Sequence, residues 1–123
     1  MKQYNVMWSE IEELCCLISR QDFIKNVSGI YGVKRGGLIP AVILSHYTGL
    51  PLSETPENSL VVDDIYDTGH TLQKYIDTNY CATLFNKQKH NNLYSAKQIE
   101  DDVWVKFPWE TNASSKIDYM KNE

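Results

Sequence analysis

The sequence has no apolar run approaching the roughly 18 residues that span a membrane, which argues against an integral membrane protein. Nor does it open on one. Met1-Lys2-Gln3-Tyr4-Asn5 leads into a stretch carrying Glu10, Glu12 and Glu13, so no secretory signal is expected and a cytoplasmic location is. A basic excess is also missing. Lys and Arg number 12 against 16 Asp and Glu, and the formal net charge is −4. A nucleic-acid-binding surface would concentrate cations, so none is expected. An anion site is not excluded, because a nest of backbone N–H groups can hold a phosphate on an acidic protein. Cysteine is sparse, at three. Cys15 and Cys16 are adjacent and Cys81 stands alone, which gives no metal-ligand spacing and no disulfide framework. Reduced, packed thiols are the expectation. Repeats and low-complexity tracts are absent.

What is present suits one globular domain. The chain has 123 residues, 42% of them hydrophobic and 23% charged, enough for a single core. The domain is expected over residues 1–111, followed by a polar tail at 112–123. Tyr4–Met7 has the content of a short strand. Ser9 with Glu12 has capping-box spacing, and Ile11, Leu14, Cys15 and Ile18 repeat at helical spacing, so a helix is expected from Glu10 to about Arg20. Ser28–Val33 reads as a strand, and Leu38–Tyr47 as a helix closed by Gly49 with Pro40 in its first turn. Pro51–Ser59 reads as a loop, Leu60–Val62 as a strand, Thr71 to about Asp77 as a helix, and Ala82–Phe85 and Val103–Val105 as further strands. Alternating strands and helices imply an α/β fold with a parallel sheet, and ligands of such sheets bind at the carboxyl ends of the strands.

The informative stretch is Leu60-Val61-Val62-Asp63-Asp64-Ile65-Tyr66-Asp67-Thr68-Gly69-His70-Thr71. Apolar residues end in two acids, a third acid follows, and then come a glycine and two hydroxyls before an expected helix. That arrangement places carboxylates at a strand end beside N–H groups and hydroxyls that suit a phosphate. Asp63 and Asp64 suit ribose hydroxyls and Mg²⁺, a hard cation that takes carboxylate oxygen. An isolated Asp-x-x-Asp is more often a solvated turn; the whole stretch is what makes the signal specific. A second glycine loop, Lys34-Arg35-Gly36-Gly37, opens the Leu38 helix and offers close backbone approach and a planar fork of donors on Arg35. Both loops are expected to face one cleft.

The Asp63–Thr71 stretch resembles the phosphoribosyl pyrophosphate signature of type I phosphoribosyltransferases. Gly32-Val33-Lys34-Arg35-Gly36-Gly37-Leu38-Ile39-Pro40-Ala41 resembles the pyrophosphate loop of the xanthine-guanine branch, with Lys34 where Ser or Pro is common. Val103-Trp104-Val105-Lys106-Phe107-Pro108-Trp109-Glu110 resembles that branch's Trp-x-x-x-Pro-Trp-Asp segment, and Phe85-Asn86-Lys87 the place of a lysine that meets the purine 6-oxo group. The resemblance implies a Rossmann-like core with a small hood formed by the termini. It implies transfer of a phosphoribosyl group from phosphoribosyl pyrophosphate to a 6-oxopurine (guanine, xanthine or hypoxanthine) with Mg²⁺. In that reading Asp67 is catalytic, and Asp63, Asp64, Asp67, Thr68, Gly69, His70 and Thr71 bind the phosphoribosyl group, with Asp64 toward the metal. Lys34, Arg35, Gly36 and Gly37 bind pyrophosphate; Lys87, Trp104 and Val105 bind the base.

One departure opens alternatives. Between Leu50 and Val61 the chain has only ten residues, where the family places two strands and a long flexible loop that covers the site. A chain lacking that cover can be a non-catalytic module that binds phosphoribosyl groups or nucleotides. It can also be a homo-oligomer in which another subunit supplies the cover.

Overall fold

The computed structural model describes residues 2–114. Strand β1 (Lys2–Asn5) is followed by helix α1 (Trp8–Ser19), a short 3-10 turn at Asp22–Asn26, and β2 (Gly29–Gly32). Then come α2 (Leu38–Thr48), β3 (Ser59–Tyr66), β4 (Cys81–Asn86), β5 (Leu93–Gln98) and β6 (Val103–Lys106). Strands β2-β3-β4-β5 form one sheet in that order, every pair parallel, and β1 pairs with β6, also parallel, as a separate hood. This is the expected α/β architecture with a hood from the two ends.

The two-residue alternation of β3 builds the layers. Leu60 and Val62 point into a core with Ile11, Leu14, Cys15 and Ile18 of α1 and Ala41 and Leu44 of α2. Val61 points the other way, into a smaller cluster with Val33, Leu72, Tyr75 and Cys81. All residues of β4 are buried, as a central strand covered on both faces should be. Burial pushes the thiols of Cys15 and Cys81 up to about 12, so they are inert packed groups.

Several expectations are corrected. Residues 70–78 form a run of turns instead of the helix expected over 71–77. Leu72 accepts from the N–H of both Tyr75 and Ile76, and Tyr75 from both Thr78 and Asn79, so bonds bifurcate at two carbonyls and no regular ladder develops. Asp77, Thr78 and Asn79 are weak helix formers that end the attempt. Helix α1 begins two residues earlier than expected, at Trp8, and Ser9 does not cap it; Met7 holds the cap position without a side-chain bond. The first strand lies at Lys2–Asn5 and not Tyr4–Met7, and β5 was not expected at all. Helix α2 does end as expected: Gly49 takes φ 78° and its N–H donates to the Ser45 carbonyl. Of the tail expected from residue 112, residues 112–114 form a folded turn and the remainder lies outside the described residues. No helix among the described residues is long and apolar enough to cross a membrane.

The hood is tied to the core by packing and by one polar cluster. Phe107 packs on Phe85 at 5.8 Å and Tyr4 meets the edge of Phe85 at 5.9 Å. The Tyr4 hydroxyl donates to Glu10, while the Lys97 ammonium reaches Glu10 at 2.9 Å and the Tyr4 oxygen at 3.0 Å. Lys97→Met is therefore expected to lower the unfolding free energy in urea by about 1 kcal/mol, a modest loss because the ammonium stays partly solvated. Hydrogen bonds to Tyr4 and then Glu10 hold Lys97 at about 12, above its ordinary 10.5. Its contribution is thus full below pH 10.5 and is lost as pH rises through about 12. Unfolding curves of the two proteins should converge at the alkaline end; a constant gap would show that packing, not charge, makes the difference.

Candidate active site

The carboxyl ends of β2 and β3 open into one cleft of about 810 Å³. Lys34, Arg35 and Gly36 line one side, and Asp63 to Gly69 with Thr71 line the other. The two glycine loops therefore do face each other, because parallel pairing of Gly29–Gly32 with Ser59–Val62 brings both strand ends to the same edge. Leu38 and Ile39 at the start of α2, and Trp109, Glu110 and Ser114 after β6, complete the walls.

Contact between the loop after β2 and the end of β3 is close. The Val33 N–H donates to the Val62 carbonyl at 2.9 Å, and the Gly37 N–H to the Val33 carbonyl at 2.8 Å. A Cβ at Gly37 would collide with the Val62 carbonyl, and one at Gly36 with the Asp64 carboxylate. Glycine at both places is what lets this backbone lie against β3. The peptide bond between Lys34 and Arg35 is cis.

Asp63 is buried and its Oδ1 accepts the Asp64 N–H at 2.8 Å; Asp64 Oδ1 accepts the Ile65 N–H at 2.8 Å. The pair is thus oriented by its own backbone. Burial in the cleft wall pushes the Asp64 carboxyl up from its ordinary value; hydrogen bonds to Asp63 and Ile65 offset part of this, and the nearby Glu110 charge adds to the rise.

Residues 67–71 form an exposed loop with Gly69 at φ 86°, where a Cβ would meet the Tyr66 hydroxyl at 2.8 Å. Among the described residues, no internal hydrogen bond takes the N–H groups of Thr68, Gly69 or Thr71. Because no regular helix starts at Thr71, the loop's own donors, not a helix dipole, are what an anion would meet. The Asp67 carboxylate, half exposed, lies 3.6 Å from the Lys87 ammonium, and its carbonyl accepts from the Gln88 amide. His70 is exposed.

The residues expected to meet a base are more dispersed. Lys87, almost wholly buried, sits at the edge of an adjoining cavity with Gln98, Ile99, Glu100 and Asp101. Trp104 is 58% exposed on β6, opposite Gln3, and lines neither cavity. Val105 turns its side chain into the core, so any ligand contact it makes is through its backbone. Conversely, Trp109, Glu110 and Ser114 line the cleft without having been singled out. The available signal was Pro108: it sets a turn in which Glu110 Oε1 accepts the Phe107 N–H at 2.8 Å and the Glu110 N–H donates to the Phe107 carbonyl at 3.1 Å.

The half-buried Asp64 yields a stability prediction. A folded-state pKa above the ordinary 3.8 means that the native protein holds the Asp64 proton more tightly than the unfolded chain. Ionised Asp64 then detracts from stability at neutral pH, and the loss disappears as pH falls below 3.8. Asp64→Asn should raise the thermal midpoint at neutral pH and give no gain in acid, as scanning calorimetry across that range can check. This is the stability cost expected of a working site.

No protein-family model matches the chain. A curated relative, the xanthine-guanine phosphoribosyltransferase of Desulfotalea psychrophila, is 24% identical over 145 residues, spanning 91% of this chain and 89% of that protein. The matched stretch is longer than the chain's own 123 residues, so that relative carries residues with no counterpart here. Among solved structures, a purine phosphoribosyltransferase from Pyrococcus horikoshii Ot3 superposes with a TM-score of 0.72 at 25% identity, covering 90% of this chain and 96% of that one. A hypothetical protein from Neisseria gonorrhoeae, solved with bound ppGpp, shares the fold with a TM-score of 0.71 at 16% identity over 94% and 93% of the two chains. Parallel topology, a two-loop cleft at the strand ends and similarity along nearly the whole chain together make this protein similar to the type I phosphoribosyltransferases, and to xanthine-guanine phosphoribosyltransferases among them.

Proposed function

We propose that the protein is an enzyme that transfers a phosphoribosyl group from phosphoribosyl pyrophosphate to a 6-oxopurine, with Mg²⁺. The observation that carries this reading is the cleft itself: two glycine loops with anion-suited donors face each other across a pair of oriented carboxylates. Transfer to purines agrees with the names of the relatives.

In this reading the 5′-phosphate sits on the Thr68–Thr71 loop, where the N–H groups of Thr68, Gly69 and Thr71 donate to no group among the described residues and the His70 N–H donates to the Thr68 hydroxyl. Asp63 and Asp64 take the ribose hydroxyls, and Lys34–Gly37 the pyrophosphate, with Arg35 as the planar donor. The chain's donor set fits Mg²⁺. No three His, Cys, Asp or Glu side chains converge among the described residues, and Mg²⁺ commonly uses one or two carboxylates together with substrate oxygens. Asp64, fixed by the Ile65 N–H, would hold it, and bound metal would neutralise charge on the departing pyrophosphate. The bond from the sugar C1 to pyrophosphate breaks with its electron pair leaving on oxygen. A ring nitrogen of the purine forms the new bond and gives up its proton. Asp67, at the cleft mouth, would stabilise the positive charge at C1 or accept that proton. Lys87 would meet the 6-oxo oxygen, with Trp104 offering an exposed ring face for stacking and Val105 its backbone.

A second reading keeps binding without turnover. It is favoured by the connection at residues 49–58, which is short and lines no part of the cleft. Incubation with phosphoribosyl pyrophosphate, Mg²⁺ and each of guanine, xanthine and hypoxanthine separates the two readings when nucleotide and pyrophosphate are both quantified. The enzyme reading expects equal amounts of both products; nucleotide binding with neither product would establish the module. Asp67→Asn should lower turnover roughly a hundredfold while nucleotide affinity changes little. Wild-type turnover in that variant would reduce Asp67 to a residue that shapes the loop.

A further inference from the structure

Residues 49–58 join α2 to β3 at the end of the sheet away from the cleft. The Pro51 carbonyl accepts the Ile30 N–H at 2.9 Å, the Ser53 N–H donates to the Ile30 carbonyl at 2.7 Å, and Leu52 bridges to Ile30. The segment is laced along β2 and reaches none of the cleft. Water still has to be kept from a reactive sugar carbon if transfer is to outrun hydrolysis.

The chain after β6 is built to meet that need. Its root is rigid: Phe107 is buried and stacks on Trp109 at 4.9 Å and 8°, and Trp109 also meets Trp8 at 5.9 Å. The reciprocal bonds between Phe107 and Glu110 close a first turn. A second turn is braced by its own hydroxyls: the Thr111 N–H donates to Ser114 Oγ at 2.8 Å, the Ala113 N–H to Thr111 Oγ1 at 3.2 Å, and the Ser114 N–H to the Thr111 carbonyl at 3.0 Å. At its far end the Ser114 carbonyl accepts a hydrogen bond from the Arg35 guanidinium, on the opposite side of the cleft. The segment therefore crosses from the hood to the glycine loop after β2, presenting Trp109, Glu110 and Ser114 to the interior.

We infer that residues 107–114 are the cover of the cleft, a strap latched by Arg35, and that they do the work a mobile loop between α2 and β3 would otherwise do. The inference rests on the phosphoribosyl reading of the cleft. Arg35 is suited to be the latch because a guanidinium has five N–H donors in a fixed plane, enough to hold the Ser114 carbonyl and a phosphate oxygen together. The strap and pyrophosphate then share one side chain, so each strengthens the hold of the other by linkage. Trp109 and Thr111 act as positioning residues, the first by seating the strap on Phe107 and Trp8, the second by bracing its tip.

The test uses the full chain and two strap variants, the double Thr111→Ala/Ser114→Ala and Trp109→Ala, each checked by circular dichroism. Phosphoribosyl pyrophosphate consumed and nucleotide formed are measured with guanine and Mg²⁺, and hydrogen exchange of the 109–114 amides is followed with and without magnesium pyrophosphate. Wild type should form one nucleotide per pyrophosphate released, and pyrophosphate should slow exchange across the strap. In either variant that folds, the nucleotide yield per pyrophosphate should fall about fivefold or more as water gains entry. Unchanged yield in both variants, or a strap whose exchange ignores bound pyrophosphate, overturns the cover while leaving the transferase reading intact. A wild-type protein that neither transfers nor binds these ligands overturns the transferase reading, and the strap with it.

Discussion

The site depends on the approach of one backbone to the end of one strand. Val33 and Gly37 are hydrogen-bonded to each other, and Val33 to the Val62 carbonyl, so the loop after β2 lies directly on β3 where its apolar residues give way to Asp63 and Asp64. Side chains at positions 36 and 37 would occupy space already taken by the Asp64 carboxylate and the Val62 carbonyl. Everything else in the cleft is arranged around that contact. It sets the distance between the two glycine loops, partly covers Asp64 and directs Arg35 across the opening.

The same contact explains why the site is costly to the fold. A carboxylate whose pKa is raised by burial is a group that the native state would sooner see protonated, and a second acid, Glu110, stands near it. A carboxylate at a cleft wall is suited to cations or polyol hydroxyls. The loop at 67–71 tells a parallel story in backbone rather than charge. Gly69 occupies a left-handed conformation against the Tyr66 hydroxyl, and the amides around it are left to an incoming ligand.

The hood divides the labour. Its two strands come from opposite ends of the chain, and it is held to the sheet by Phe85, Phe107 and Tyr4 and by the Lys97–Glu10 pair. This small unit carries Trp104 on its surface and launches the segment that returns over the cleft to Arg35. The core supplies the glycine loops and the carboxylates, while the hood supplies the aromatic surface and the roof. The short path from α2 to β3 is compatible with this because the roof is reached from the other direction.

Much of this was legible from residue order, and the parts that were not share a cause. The apolar run of Leu60–Val62, its acidic end, the two glycine loops and the closure of α2 by Gly49 are local facts, each decided by side chains within a few residues of one another. β5 was hidden because its half-buried edge position lets Ser95, Lys97 and Gln98 stand in a strand without an apolar pattern. Its link to β4, residues 87–92, is also too short for a crossover helix. Six extended residues reach only about 20 Å, enough to run back along the strand and no more. The helix expected at 71–77 does put Leu72 and Tyr75 on one face, in the cluster beneath β3, but its bonds bifurcate at the Leu72 and Tyr75 carbonyls and Asp77, Thr78 and Asn79 do not extend it. The positions of the two loops at the strand ends were thus determined by the sequence itself. Which residues wall the cleft was decided by tertiary structure: Trp109, Glu110 and Ser114 reach it only because β6 pairs with a strand almost the whole chain length away, and no local pattern encodes a contact made across that distance.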